Sequence, residues 1–384
     1  MTPLPFRSRL EEYEKQADQL LDGFLAGDQQ AIDLFHHHLP RFLDERIPWK
    51  PKDLSAEELR SATVDREDAR LALARFYGFR DWRELARWVV EVGRGDSAVA
   101  RFESAVEAVV NGDAVALRNL LLGHPDLVRA RSTYVTPHDP PMHRATLLHY
   151  VAANGVEGWR QKTPKSAVAI AKMLLDAGAE ADALADMYGG ECTTMSMLVS
   201  SAHPAAAGLQ SALAETLIDG GASVARCGKG KWTAPLAVAL AFGYADTART
   251  LVRRGAAVDS VDLAAGFGRL EDARRLLPAA SALERHRAVA LAAQHGHVDV
   301  LKLLLDAGED PNRYNPEGNH GHSTPLHQAV WAGHEDVVRV LVERGARLDI
   351  RDTIWNGTPL GWAEYGGRTK VAEFLRGRGA TRGN

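Results

Sequence analysis

Residues 323–344 read STPLHQAVWAGHEDVVRVLVER and are followed by Gly345 and Ala346. Thr324 is placed to cap a helix N-terminus. Pro325 suits its first position, where a missing N–H costs nothing, and Gly345 suits the left-handed conformation just past a second helix. The stretch therefore reads as a helix, a short turn and a second helix. Neither helix can bury its apolar face alone, so the unit needs a like neighbour on each side.

Working outward, such neighbours are found at a fixed spacing. From the Thr position to the closing glycine is 21 residues in Ala234 to Gly255, Arg287 to Gly308, Thr324 to Gly345 and Thr358 to Gly379. Two weaker repeats run from Glu103 to His124 and around Val261 to Ala279, and two are long, Thr146 to Gly178 at 32 residues and Thr193 to Gly221 at 28. Eight repeats result. The extra residues fall at 156–166 and 203–210, between inner and outer helices. The connections at 133–144 and 313–323 are lengthened, whereas Gly255 runs almost directly into the fifth repeat, which must lack a full finger turn.

The copies TPLHQA at Thr324, TPLGWA at Thr358 and TLLHYV at Thr146, closed by LLDAGAE at Leu174, LVRRGAA at Leu251, LLDAGED at Leu304 and LVERGAR at Leu341, resemble the ankyrin repeat. The resemblance implies an all-α solenoid of about eight repeats with short β-turn fingers over residues 97–384. It further implies that His149 and His327 tie their own turns together by hydrogen bonds, that His297 and His334 after the turn glycines are structural, and that partners are taken in a concave groove. It settles fold, not function.

Residues 1–95 differ. Leu10 to Phe24, Ala31 to Phe42, Arg66 to Tyr77 and Asp81 to Val92 carry apolar residues at helical spacing, punctuated by Pro40, Pro48, Pro51 and Gly78. They read as a small helical domain, with Asp81 as an N-cap and Phe76, Phe79, Trp82, Leu85 and Val89 available for a core. The segment LARFYGFRDWRELARWV resembles the helical leader found in front of some bacterial ankyrin-repeat proteins.

Composition narrows the function classes. A net charge of -4 with interspersed signs provides no basic stripe for a phosphate backbone, so nucleic acid is not expected as a partner. No run of about 18 apolar residues is present and the N-terminus lacks a signal-peptide core, so a cytoplasmic location and no membrane association are expected. Two cysteines, Cys192 and Cys227, do not make a disulfide framework.

Counting along each repeat puts Asn154, Phe242, Phe267, His295, Trp331 and Tyr365 at groove-facing inner-helix ends, and Trp232 and Trp355 on finger turns. Aromatics there are what interface hot spots are made of, so these eight are the expected contact residues for a protein partner. A competing reading builds a polar pocket for a small molecule or a reaction from the irregular repeats at 134–210, with His138, His143, Tyr188 and His203 as candidates and a histidine as general base. No nucleophile elbow, P-loop or HExxH accompanies it. No cofactor is expected. No metal is expected either: His320 and His322 alternate in one loop and offer two nitrogens without a third ligand, and His36, His37 and His38 point in different directions on a helix.

Overall fold

The structure is a computed structural model describing residues 1–95, 97–225 and 234–382, so Trp232 and Cys227 lie outside the described residues. Contacts divide the chain into two compact parts, one ending at Ser223 and one running from Ala234.

The first part opens with five helices: α1 (Leu10–Leu25), α2 (Gln29–His38), α3 (Ala56–Ser61), α4 (Arg66–Phe76) and α5 (Trp82–Gly93). Local chemistry sets their starts. Asp28, Ser55, Asp65 and Asp81 each accept a hydrogen bond from a first-turn N–H, and Ser55 with Glu58 forms a reciprocal capping box on α3. Their core gathers Tyr13, Phe35, Leu73, Phe79, Leu85 and Val89, and it also takes in Tyr134 from the long finger at 133–144. The three adjacent histidines diverge, His36 to Lys52 O and His37 to Asp33 O, while burial pushes His38 down to about 4.

Three helix pairs follow in the same part: α6 (Ala98–Asn111) with α7 (Ala114–Gly123), α8 (Leu147–Val151) with α9 (Ala167–Asp176), and α10 (Thr194–Leu198), which is separated by the short α11 (Ala202–Ala206) from α12 (Gln210–Asp219). The finger between the second and third pairs is a two-stranded antiparallel hairpin, β1 (Ala185–Met187) with β2 (Gly190–Cys192), in the register Asp186 opposite Glu191.

Five more pairs make the second part: α13 (Pro235–Ala241) and α14 (Ala245–Arg253), α15 (Val261–Gly266) and α16 (Leu270–Leu276), α17 (Ala282–His295) and α18 (Val298–Asp306), α19 (Pro325–Ala332) and α20 (Glu335–Glu343), α21 (Pro359–Tyr365) and α22 (Thr369–Gly377). One apolar core runs through α15 to α22, from Val261 to Leu375. Two inner helices, α6 and α17, are 14 residues long, and their N-caps, Ser97 and Ser281, lie six residues before Glu103 and Arg287, where the repeat spacing places them. Ser97 caps the first of them, and Ser281 with Glu284 boxes the second, so an extra helical turn stands where those repeats have no finger.

The inner helices are short, and a short helix leaves its last carbonyls without intrahelical donors. Side chains of adjacent repeats supply them. His297 Nε2 binds Gly266 O at 3.1 Å, His334 Nε2 binds Gln294 O at 3.0 Å, and the Arg368 guanidinium donates twice to Trp331 O, at 3.0 and 2.7 Å. The histidines of the TPLH-type motifs work in the opposite direction. His149 Nδ1 accepts from Thr146 N, which leaves Nε2–H to face Cys192 O at 3.2 Å in the next finger; His327 repeats this with Thr324 and Gly357 O. Each ring thus fastens its own helix cap to the following repeat.

Two predictions follow from these clasps. Burial holds His149 and His327 near 4, against an ordinary value of 6.5. Both rings are neutral in the folded state above that value, whereas the unfolded chain takes up protons as pH drops below 6.5. Stability should therefore be full above pH 6.5 and fall between 6.5 and about 4, by on the order of 3 kcal/mol per ring. A urea-unfolding series that stays level across that window refutes it. The second concerns Gly296, which has φ +81° and lacks a Cβ where one would sit 2.8 Å from His334 Nδ1. Gly296→Ala should cost roughly 2 to 3 kcal/mol, from backbone strain plus the displaced His334 bond. Gly308→Ala, with φ +92° and open space around it, should cost about 1 kcal/mol in the same thermal-unfolding assay.

Candidate functional site

At the inner-helix ends of the last two repeats, four aromatic rings form one continuous cluster. Trp331, at the end of α19, lies 6.0 Å from Trp362 and 6.4 Å from Tyr365, with the Tyr365 ring within 19° of parallel. Trp355, on the finger before α21, lies 6.4 Å from Trp362 and 5.2 Å from the His322 ring. Trp362 is the half-buried hub, and the other three reach solvent: Trp331 is 47% exposed, Trp355 57% and Tyr365 88%.

Asp352 sets this geometry. Its carboxylate takes the N–H groups of Ile354, Trp355 and Gly357 at 3.0, 2.6 and 2.8 Å and the indole N–H of Trp362 at 3.0 Å. Burial alone would raise this carboxyl, but the converging donors, Trp355 N–H foremost, outweigh it and hold it below the usual carboxylate range. The finger is thereby fixed with Trp355 outward and Trp362 beneath.

The middle of the second part is arranged differently. His295 Nε2 is committed to Leu240 O at 2.8 Å, and Ala241 O receives both Gln294 at 2.9 Å and His320 Nε2 at 2.8 Å. Phe242 is edged by the His320 ring at 6.2 Å, and Phe267 is half-buried with the Arg269 guanidinium 5.4 Å from its ring centre. The lengthened loop at 313–323 thus reaches back to α13 across the repeat that lacks a finger. His320 serves as a clasp, and His322 packs against Trp355 and Trp362. Among the described residues no group of three or more His, Cys, Asp or Glu side chains is placed to hold a metal ion.

The irregular repeats of the first part bring only some of their polar candidates together. Tyr188 OH donates to Asn154 Oδ1 at 2.7 Å, and Asn154 Nδ2 donates to Met197 O and Ser200 Oγ at 2.8 and 2.9 Å. Asn154 is thus spent on joining two repeats. The adjoining cavity, lined by Asn154, Glu157, Arg160, Met187 and Met197 among others, has a volume of about 20 Å³, enough for a single water. His138 and His203 are exposed, and neither lines it. His143 does line it, as a buried residue: Ala145 N–H donates to Nδ1 at 3.2 Å, and Nε2 lies 2.6 Å from Glu157 Oε1.

Glu157 belongs to a buried charge cluster that sequence reading passed over. The Arg160 guanidinium bridges Glu157 and Glu103, the latter at 2.7 Å, and lies 5.1 to 5.5 Å from the ring centres of Tyr134, Tyr150 and Trp159. All three charged groups are buried. Burial would raise Glu157, but Arg160 and His143 outweigh it and hold the carboxyl down at about 2. Glu103 has fewer partners, and burial raises it in spite of Arg160. One guanidinium serves two carboxylates, and Glu157 is the better bonded of them.

Comparison with known proteins places the array. The family model for ankyrin repeats matches residues 261–352 in three copies. Human cyclin-dependent kinase inhibitor 2A is 36% identical over 131 residues, which cover 33% of this chain and 81% of that protein. The chain belongs to the ankyrin-repeat family. Cattle cyclin-dependent kinase 4 inhibitor B is 36% identical over 117 residues, covering 23% of this chain and 88% of that protein. The NF-kappa-B inhibitor cactus of Drosophila melanogaster is 34% identical over 95 residues, 24% of this chain and 18% of that protein. The fold is an all-α ankyrin solenoid of eight described helix pairs, and among the described residues no helix is long and apolar enough to cross a membrane. The ankyrin resemblance assigned structural work to His149, His327, His297 and His334, and their bonds are of that kind.

Trp362 occupies the fifth place of TPLGWA and went unnoticed as the hub of the aromatic cluster. Its signal was Asp352, ten residues upstream at the start of a finger turn. The Glu103–Arg160–Glu157 cluster had no signal for its third member, since Glu157 and Arg160 sit three residues apart on one turn but Glu103 lies 57 residues from Arg160 on α6. Removing one partner of a buried pair strands the others, so Glu157→Gln should destabilise the protein by about 3 to 5 kcal/mol. Arg344→Ala, which breaks a surface pair with Asp306, should cost less than about 1 kcal/mol, and equal losses in urea unfolding would refute the distinction.

Proposed function

We propose that this ankyrin-repeat chain is a non-enzymatic, cytoplasmic protein-interaction scaffold whose contact surface is the groove end of the last two repeats. Trp331, Tyr365 and Trp355 are its anchors. Residues 1–95 act as a helical cap on the array of residues 97–384. The observation that carries the reading is the cluster of three exposed aromatic rings backed by Trp362 and fixed by Asp352, because soluble proteins rarely leave such a patch open without a use for it. The relatives' names, inhibitors of cyclin-dependent kinases and of NF-kappa-B, support a role exerted on other proteins. The region between 134 and 210 supports it from the other side, since Tyr188, Asn154 and Ser200 are hydrogen-bonded to one another and the adjoining cavity has room for one water.

The reading is tested by affinity capture from native lysate with the intact chain beside a Trp331→Ala, Tyr365→Ala double variant. Proteins retained by the intact chain should be lost from the double variant, with binding weakened at least ~30-fold, the scale of a central hot spot. Equal recovery by both chains, or recovery of a metabolite in place of a protein, would count against it.

A further inference from the structure

The aromatic cluster has a charged flank. Between Glu364 and Arg382 the chain carries five basic residues, Arg368, Lys370, Arg376, Arg378 and Arg382, against two acidic ones, Glu364 and Glu373. The basic groups are under-compensated in space as well. Arg376 and Arg382 share the single Glu364 carboxylate, at 2.7 and 3.2 Å, and the nearest carboxylate to Lys370 is Glu335 at 3.8 Å. Lys370 and Arg382 keep 81% and 80% of their side chains in solvent. Arg368 is fixed against Trp331 O, so positive charge begins at the edge of the aromatic patch and continues along α22.

We infer that the partner segment bound at this end is an acidic peptide carrying an apolar or aromatic side chain. The side chain packs on Trp331 and Tyr365, and the carboxylates lie along Lys370 and Arg382. This rests on the interaction reading above and adds to it the partner's chemistry. Two physical arguments select that class. A patch with excess positive charge attracts an acidic chain and repels a basic one, which sets both encounter rate and discrimination. The exposed rings supply the apolar anchor that charge alone does not. A nucleic acid is the less suitable occupant, because the basic residues sit on one helix pair only and the whole chain carries net negative charge, -4.

The test uses the full chain and three fluorescein-labelled synthetic peptides of equal length, each with one Phe-Leu pair, in an acidic, a basic or a Gly/Ser background, together with a poly-dT oligonucleotide. Anisotropy titration should show binding of the acidic peptide, weaker binding of the neutral one and none of the basic peptide. The double reversal Lys370→Glu, Arg382→Glu, at exposed positions that leave the fold intact, should weaken the acidic peptide at least ~10-fold and flatten its salt dependence. Tyr365→Ala, also at an exposed position, should weaken the acidic and neutral peptides alike. Failure of the acidic peptide to bind, equal binding of the basic peptide, tighter binding of the oligonucleotide, or indifference to the charge reversal overturns the acidic-partner inference. Acidic binding that responds to the reversal but ignores Tyr365→Ala and Trp331→Ala overturns the aromatic-groove reading instead.

Discussion

The second part of this protein depends on how the carbonyl ends of its inner helices are satisfied. Helices of six to eight residues, such as α13, α15, α19 and α21, cannot pair most of their own terminal carbonyls. Buried carbonyls left open would cost more than such short helices contribute. His297, His334 and Arg368 meet this need from adjacent repeats, His295 meets it from two repeats on, and Ser201 serves Ala153 O in the first part. The glycines at 268 and 296 belong to the same device, because a Cβ on either would collide with the ring of His297 or His334. Helix length, turn glycine and neighbouring donor are thus one constraint seen from three sides.

The first part solves a different problem. The segment at 156–166 turns toward the preceding repeat: Ser166 Oγ binds Gly112 O at 2.8 Å, Lys162 binds Asn111 Oδ1 at 2.8 Å, and Arg160 enters a box of two carboxylates and three aromatic rings. Desolvating that much charge is unfavourable against an apolar core of the same volume, so the cluster is better understood as fixing position than as adding stability. What it fixes is the meeting of α6, the long finger and the leading helices, where Tyr134 stacks on Phe79 at 3.9 Å and Trp159 packs edge-on against Tyr77 at 5.3 Å.

Legibility in the sequence followed the range of the interactions. The repeat spacing, the caps at Thr324 and Thr358 and the structural role of the TPLH histidines depend on residues within one or two turns of each other, and those were readable. The early starts of α6 and α17 were readable in principle from Ser97 and from Ser281 with Glu284, but a fixed spacing measured from regular repeats overrode those local signals. Trp331 and Tyr365 fall at inner-helix ends and Trp355 between α20 and α21, positions that the repeat spacing gives, whereas their assembly around Trp362 depends on Asp352 accepting four N–H groups. The destinations of His143, His295 and His320 were beyond reach, because each ring finds its partner on an element that no periodicity connects to it.

The clasp from His320 to Ala241 spans more repeats than the other ties described. His297, His334 and Arg368 join repeats next to each other, the pattern that lets solenoids open one repeat at a time, while Gln294 and His295 reach across one repeat to α13. His320 and Ala241 lie 79 residues apart, and between them stand the shortened fifth repeat and all of α17. Closing that span joins repeats four to seven into one cooperative block, in which the shortened repeat is enclosed by its neighbours and shares their opening free energy. The eighth repeat, which carries Tyr365, stands outside that block and is held to it through the seventh, by Arg368 on Trp331 O and by His327 on Gly357 O.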